Sequence, residues 1–299
     1  LVKELLGLDD DFQVLFLQGG ASMQFLQIPY NLMRTKAAYL DTGTWASKAA
    51  KEAVYFGESV TVASSKDEQY RYIPKDYTIP ADADYFHITT NNTIYGTQMH
   101  RIPDSPVPLV ADMSSDIFSR EMDFNRFGLI YAGAQKNMGP AGTVMVAVRQ
   151  SLLGKTGRTI PTMMDYMTHI NKGSMFNTPP VFAVYVSMLT MQWVKDKGGI
   201  GAMEERNRQK SALLYNELDR NPLFHPFVRK EDRSMMNVTF DLTDPALKDR
   251  FDAMWKEAGI VGLKGHRSVG GYRASLYNAL PLESVQVLVD VMKELERKV

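Results

Sequence analysis

The stretch LIYAGAQKNMGPAGTVMVAV (residues 129–148) places one lysine, Lys136, in a loop of small residues between two apolar runs. The first run, FGLIYAGA (127–134), is short, continuous and rich in residues that favour strands, and TVMVAVR (143–149) has the same character. Short apolar runs bounded by glycine predict buried strands. The cation at the end of such a strand needs an explanation, because an isolated charge is costly to bury.

The alternation of strands with helices or crossovers extends outward from this stretch. FQVLFLQ (12–18) is followed by Gly19-Gly20 and a predicted helix, SMQFLQIPYNLM, which Pro29 should bend or end. Further strands are predicted in ADYFHITT (83–90) and VPLVADMS (107–114). This pattern predicts an α/β fold with a mainly parallel sheet that is covered on both faces.

The chain divides into a large and a small part. A largely apolar helix, VFAVYVSMLTMQWVKDKGG, follows Pro179-Pro180, and an amphipathic helix comes next. From residue 234 a second alternation begins, with strands in SMMNVTFDL and RASLYNAL and helices in PALKDRFDAMWKEAG and LESVQVLVDVMKELERK. We predict a large domain over residues 1–197 and a small C-terminal α/β domain over residues 198–299.

Composition limits the classes of function. The 34 basic and 34 acidic residues form no long block of either sign, which argues against nucleic acid or an anionic membrane as a partner. Without cysteine, the chain has no disulfide, thiolate nucleophile or cysteine-ligated metal. Four of the five histidines, namely His87, His100, His169 and His225, show no metal-ligand spacing, and no metal site is predicted. No signal peptide or membrane-spanning run is visible, and we expect a cytoplasmic protein that acts on small molecules.

Asp112 and Lys136 end two successive predicted strands, and the residues between them have the length of a crossover. Both side chains would then lie at the carboxyl edge of one sheet, where open α/β sheets bind their ligands. A carboxylate and an amine at such an edge can also form an ordinary ion pair, and for this pair alone that interpretation is favoured. Other segments shift the balance toward a ligand site.

Three further signals are weak individually. Gly19-Gly20 before a helix offers backbone N–H groups that suit a phosphate, although a tight turn is the simpler interpretation. Trp45 precedes a helix and could cover a flat ring or only pack in the core. Thr93 follows a strand and could bind a ligand or only its own backbone. Their order together with Asp112 and Lys136 is that of a pyridoxal-phosphate site.

Seven motifs together resemble one family: FLQGGASMQF, TGTWASKAAKEA, HITTNNTIYGTQ, ADMSSDIFSR, GAQKNMGPAG, NTPPVFAVYV and GHRSVGGYRASLYNALP. They are similar to successive motifs of the phosphoserine aminotransferases, which are class V aminotransferases that depend on pyridoxal 5'-phosphate. The resemblance covers almost the whole chain. It implies the type I fold, with a mainly parallel seven-stranded sheet in the large domain, and a homodimer.

The resemblance also implies roles for individual residues. Lys136 would bond covalently to the cofactor, Asp112 would pair with its pyridinium nitrogen, and Trp45 would stack on its ring. The residues implied to bind the cofactor from the same subunit are Ala21, Ser22, Trp45, Thr93, Asp112, Gln135 and Lys136. Asn177 and Thr178, which could otherwise serve only as a helix cap, would reach the phosphate of the cofactor in the other subunit.

The chemistry requires these residue types independently. A lysine amine must be neutral at some steps, whereas free lysine has a pKa of about 10.4, and arginine could not serve because it keeps its proton. Asp112 must stay ionised to keep the ring nitrogen protonated. Arg273 can form a bidentate pair with a substrate α-carboxylate. By the resemblance, His266 and Arg267 bind a substrate phosphate; without the motif they would be an ordinary solvated pair.

The implied reaction is the ping-pong transfer of an amino group from L-glutamate to 3-phosphohydroxypyruvate, which yields 2-oxoglutarate and O-phospho-L-serine for serine biosynthesis. A role in vitamin B6 synthesis is left open. Two alternatives are a class V aminotransferase for unphosphorylated small amino acids, which would have no use for His266 and Arg267, and a non-catalytic protein that only binds the cofactor. The family pattern also expects roughly sixty residues before Leu1, including an arginine that helps to bind the amino-acid substrate.

Overall fold

A computed structural model describes all residues from 1 to 299. The α-helices are α1 (Val2–Leu6), α2 (Gly20–Leu32), α3 (Thr44–Ala53), α4 (Tyr166–Asn171), α5 (Val181–Asp196), α6 (Gly199–Arg220), α7 (Lys248–Glu257) and α8 (Leu282–Lys298). The strands are β1 (Phe12–Leu17), β2 (Lys36–Asp41), β3 (Glu58–Ser64), β4 (Phe86–Thr89), β5 (Asn91–Asn92), β6 (Thr97–Gln98), β7 (Leu109–Asp112), β8 (Phe127–Gly133), β9 (Val144–Arg149), β10 (Phe224–Pro226), β11 (Asn237–Leu242) and β12 (Tyr272–Ser275).

The large sheet has seven strands in the order β1-β9-β8-β7-β4-β2-β3. Strand β9 runs antiparallel to both of its neighbours, and all other pairs are parallel. The prediction of a mainly parallel sheet is therefore confirmed. Strands β4, β7 and β8 are buried at every residue, as continuous apolar runs in a two-sided sheet require.

The carboxyl ends of β4, β7 and β8 meet at one edge of this sheet. Asp112, the last residue of β7, has Thr89 of β4 and Tyr131 of β8 as its register partners. The chain leaves β8 through the turn that contains Lys136 and returns as β9. This topology brings residues that are far apart in the sequence to one polar edge.

Of the two effects predicted for Pro29, to bend or to end helix α2, the second does not occur at the proline, because the helix continues to Leu32. Pro29 lies in the last turn, where the loss of its N–H removes only one helical hydrogen bond. The backbone N–H of Met33 still bonds to the Pro29 carbonyl at 3.1 Å. The helix therefore keeps its full length from the glycine turn to Leu32.

Strands β5 and β6 form a small hairpin that connects the large sheet to the C-terminal part. Its turn contains Gly96 at φ +85°, and a Cβ atom there would lie 2.6 Å from the Thr239 Oγ1 atom of β11. A residue other than glycine would therefore be strained in its backbone and would clash. The close approach places Thr93, which lies in this hairpin, next to the second sheet.

The C-terminal part contains an antiparallel sheet of β10, β11 and β12. Its apolar core is formed by residues between Leu214 and Leu295. The two cores of the large sheet are formed by residues between Val2 and Ile200. We propose on this basis that the chain divides into domains near Lys197, between α5 and α6. None of the helices has the length and apolar character needed to cross a membrane.

Candidate active site

A cavity of about 150 Å³ lies at the carboxyl edge of the large sheet. It is lined by all the residues implied to bind the cofactor from the same subunit, namely Ala21, Ser22, Trp45, Thr93, Asp112, Gln135 and Lys136. A larger cavity of about 320 Å³ between Ala258 and Leu288 is mainly apolar. We place the site in the smaller cavity, because an amine, a carboxyl group and a helix N-terminus converge there.

The N-terminus of α2 forms one wall of this cavity. Gly19 and Gly20 have φ angles of +86° and +62°, so the turn into the helix favours glycine at both positions. No side chain caps the helix, and its first backbone N–H groups therefore keep their capacity to bind an anion. Gly19, Gly20, Ala21 and Ser22 all line the cavity.

Lys136 lies in the turn after β8, and its ammonium group donates a hydrogen bond to the Thr93 Oγ1 atom at 2.7 Å. Burial lowers the pKa of Lys136, and the positive charge of Arg273 lowers it further, while Asp112 opposes the shift. Lys136 and Asp112 are not joined by a salt bridge, so the ordinary ion pair considered above is absent. Lys136 therefore loses its proton at a lower pH than free lysine does.

Asp112 is buried at the floor of the cavity, with 5% of its surface exposed. Burial raises the pKa of its carboxyl group, while hydrogen bonds from Ser114 and the charge of Lys136 oppose this shift. The Ser114 backbone N–H donates to its Oδ1 atom at 2.9 Å. A buried carboxylate of this kind is stabilised when a cationic group binds beside it.

None of the three cationic residues implied to bind substrate lines this cavity, namely His266, Arg267 and Arg273. Arg273 lines the larger cavity but reaches the edge of the smaller one at Thr93. The Nη1 atom of Arg273 lies 3.4 Å from the Thr93 carbonyl oxygen, and its buried Nε atom has no hydrogen-bond partner. His266 is half-buried and pairs through Nδ1 with the Ser268 hydroxyl at 2.7 Å, while Arg267 is exposed.

Asn177 and Thr178 are exposed and lie outside this cavity. The Thr178 carbonyl accepts a hydrogen bond from the Gln18 side chain at 2.6 Å, which ties the segment to the end of β1. Neither side chain can be assigned to the cavity of its own chain.

Comparison with known proteins identifies the family. The model of the class V aminotransferases ("Aminotransferase class-V") matches residues 1–288. The chain belongs to the class V aminotransferases.

Within this family, the chain is similar to phosphoserine aminotransferases. It is 66% identical to that of Flavobacterium johnsoniae, an alignment that covers 100% of this chain and 85% of the relative. The solved enzyme from Bacillus circulans subspecies alkalophilus is 44% identical, with a TM-score of 0.95 over 99% of this chain and 84% of that one. The pyridoxal-phosphate-bound enzyme from Trichomonas vaginalis is 37% identical, with a TM-score of 0.90 over 98% and 85% of the two chains. The family and the type I fold expected from the motifs are confirmed.

The cavity of this class V aminotransferase also contains residues that the sequence analysis did not identify. Thr89, Asn91, Ser114 and Ser115 line it, and the Thr89 hydroxyl is buried without a hydrogen-bond partner. An unpaired buried hydroxyl in a ligand cavity indicates a missing polar partner. Their position was the signal that could have identified them, since each is a polar residue within three residues of the C-terminal end of β4 or β7.

Proposed function

We propose that the chain is a cytoplasmic, pyridoxal-phosphate-dependent phosphoserine aminotransferase of serine biosynthesis. In this proposal L-glutamate gives its amino group, 3-phosphohydroxypyruvate receives it in a ping-pong cycle, and the products are 2-oxoglutarate and O-phospho-L-serine. The observation that carries the proposal is the convergence of the Lys136 amine and the buried Asp112 carboxyl group in one cavity beside an uncapped helix N-terminus. The similarity to phosphoserine aminotransferases supports the choice of substrate.

The residues present fit pyridoxal phosphate. The free N–H groups at Ala21 and Ser22, together with the Gln135 side chain, would hold the phosphate, and Trp45 would cover the ring. Asp112 would pair with the ring nitrogen, and Thr93 would contact the ring. When bound, the cofactor supplies an electron sink for the negative charge that develops at the substrate α-carbon.

Lys136 has two tasks in this proposal. Its neutral amine attacks a carbonyl carbon as a nucleophile, and the same nitrogen later moves the α-proton of the amino acid. Burial and Arg273 lower the pKa of Lys136, which makes the neutral amine available. The hydrogen bond to Thr93 orients the Nζ atom within the cavity.

The substrate would bind through cationic side chains of the small domain. The Arg273 Nε atom is buried without a partner beside the cavity, so a substrate carboxylate would satisfy it. We assign the substrate phosphate to His266 and Arg267, which lie in the loop that connects α7 to β12.

Neutral replacement of the cationic pair (His266→Asn with Arg267→Gln) should selectively damage turnover of O-phosphoserine. The two changes remove charge-assisted hydrogen bonds worth roughly 1.5–3 kcal/mol each. The glutamate half-reaction should weaken less, because its carboxylate uses only part of this anion site. Both half-reactions are measured under single-turnover conditions, and the ratio of efficiencies gives the free-energy difference.

Lys264→Gln is the matched control, since it removes an exposed positive charge from the same loop. Equal, small losses for both substrates in the double variant would contradict the phosphate assignment. They would favour an aminotransferase for unphosphorylated amino acids.

An exposed apolar surface supports a homodimer. It consists of Met175, Phe176, Val181, Phe182, Tyr185, Met188 and Leu189, each more than 40% exposed. Apolar patches of this kind mark protein–protein contacts. Because Asn177 and Thr178 lie within the same stretch, a second copy that covers it would receive these two side chains. We propose that they complete the cofactor phosphate site of that copy.

A mixing experiment tests this shared site. A variant with Asn177→Ala and Thr178→Ala should bind the cofactor more weakly, and Lys136→Ala should be inactive. In a mixed dimer, one site has its own Lys136 and receives the intact Asn177 and Thr178 from the other chain. Equal amounts of the two variants, exchanged at random, should therefore recover about one quarter of wild-type activity. Recovery of no activity, although mixed dimers form, would contradict the shared site.

The overall function is tested by titrating the purified protein with glutamate, O-phosphoserine, serine and alanine while the cofactor spectrum is recorded. Glutamate and O-phosphoserine should convert the cofactor, and serine and alanine should be poor substrates. No spectral change with any amino acid would support a non-catalytic binding protein instead.

A further inference from the structure

A buried polar pair lies directly beneath Asp112. Tyr131 is the register partner of Asp112 in the neighbouring strand β8, and His87 of β4 is the partner of Val110. Because alternate residues of a strand point to the same face, His87, Tyr131 and Asp112 lie on one side of the sheet. The exposed fractions of His87 and Tyr131 are 2% and 0%, so these two side chains are shielded from water, whereas Asp112 borders the cavity.

The hydrogen bond between His87 and Tyr131 and the unpaired Nδ1 atom of His87 indicate where the protons of the pair lie. The His87 Nε2 and Tyr131 hydroxyl oxygen atoms are 2.9 Å apart, and His87 Nδ1 is buried without a partner. A proton on Nδ1 would be an orphaned buried donor, which native proteins rarely contain. With the proton on Nε2, His87 donates to Tyr131, and the hydroxyl proton of Tyr131 is free to point to Asp112.

Both residues keep their neutral forms in this environment. Burial lowers the pKa of His87 to about 3, so the imidazole carries no charge at physiological pH. Burial raises the pKa of Tyr131 well above its ordinary value, and the nearby Asp112 carboxylate raises it further through its charge. The phenol therefore remains a hydrogen-bond donor.

We propose that Tyr131 and His87 are positioning residues that hold the Asp112 carboxylate ionised and oriented toward the ring nitrogen of the cofactor, through the chain of donors His87 Nε2–H, Tyr131 O–H and Asp112. The inference rests on the role of Asp112 in the proposed function. Ionised Asp112 is costly to bury, and a fixed donor on its inner side offsets part of this cost without competing for the cavity.

The other buried tyrosines on this face make no such connection to the site. Tyr39 lies beside His87, with ring centroids 5.2 Å apart, but its hydroxyl pairs with that of Tyr85 at 2.6 Å. Tyr39→Phe therefore removes one buried hydroxyl hydrogen bond from the same face without reaching Asp112. It is the matched control for Tyr131→Phe.

The test uses holoenzyme loaded with pyridoxal phosphate that carries nitrogen-15 in its ring, because the chemical shift of this nitrogen reports its protonation. Tyr131→Phe should move the resonance toward the unprotonated value and slow α-proton removal about 10-fold, the effect of one hydrogen bond to a charged group. Tyr39→Phe should leave both measurements unchanged. His87→Gln, whose amide can still donate to Tyr131, should perturb the resonance less than His87→Leu.

The outcomes separate this inference from the proposed function. If Asp112→Asn shifts the resonance and Tyr131→Phe does not, the positioning role is wrong and the role of Asp112 stands. If Asp112→Asn has no effect, the proposed role of Asp112 fails as well. A second measurement does not depend on the folding of any Tyr131 variant: histidine nitrogen-15 spectra of the wild-type protein should show His87 protonated on Nε2, and a proton on Nδ1 would overturn the proposal.

Discussion

Lys136→Ala should reduce transamination about 10⁴-fold, the upper end of the range for a lost acid–base group. Alanine provides neither the nucleophilic amine nor the group that moves the α-proton. The cofactor should still bind without a covalent bond, because the α2 N-terminus, Trp45 and Asp112 are unchanged. Single-turnover kinetics measure the loss, and cofactor absorbance measures the retained binding.

Reduction of the wild-type holoenzyme with borohydride, followed by peptide mapping, tests the identity of the lysine. The label should be on Lys136, and a label on any other lysine would overturn the assignment. Lys195→Ala is a suitable control, because Lys195 is an exposed residue of α5 that pairs with Glu4 and does not line the cavity. It should retain the activity of the wild type.

Asp112→Asn should slow α-proton removal by about 10²–10³-fold, a loss typical of one preorganised electrostatic contact in an active site. The amide has nearly the shape of the carboxylate but no charge, so it cannot keep the ring nitrogen protonated. The fold should survive, since a neutral side chain is less costly to bury than an ionised one. The measurement is the single-turnover rate with glutamate in protein saturated with cofactor.

Asp116→Asn is the matched control for this experiment. Asp116 is also a buried carboxylate near the same sheet edge, but it pairs with Arg120 at 3.2 Å and does not line the cavity. Its replacement should lower the free energy of unfolding and leave proton removal in the folded protein near normal. Similar rate losses in both variants would contradict a chemical role specific to Asp112.

The sequence predicted those parts of the fold in which local pattern and burial agree. Strands β7, β8 and β9 were predicted because they are continuous apolar runs. Strand β2 was missed because KAAYLD contains alanines that favour helix, and its burial on both faces depends on neighbours distant in the sequence. Strand β3 is one of the two edge strands, so its partly exposed residues lack a continuous apolar pattern.

The candidate site was predictable to the extent that each residue had a chemical reason to be present. Lys136 and Asp112 are ionisable groups at strand ends, where the crossover rule places them at one edge. Thr89 and Ser114 are uncharged, and their contribution depends on which face of the strand end borders the cavity. The register between β4 and β7 determines which side chains face the cavity. This register cannot be predicted from the sequence of either strand alone.

The pairing of β1 with β9 has a consequence for the order in which the protein assembles during synthesis. Residues 12–17 find their only partner strand at residues 144–149. At a translation rate of about 5–20 residues per second, the intervening stretch of about 130 residues takes roughly 6–26 seconds to emerge. During that time the backbone of β1 has no partner strand. The glycine turn at Gly19 and Gly20, which follows β1, is not yet held in place by the sheet. The residues proposed to hold the cofactor phosphate therefore leave the ribosome well before β9, the strand that pairs with β1 beside them.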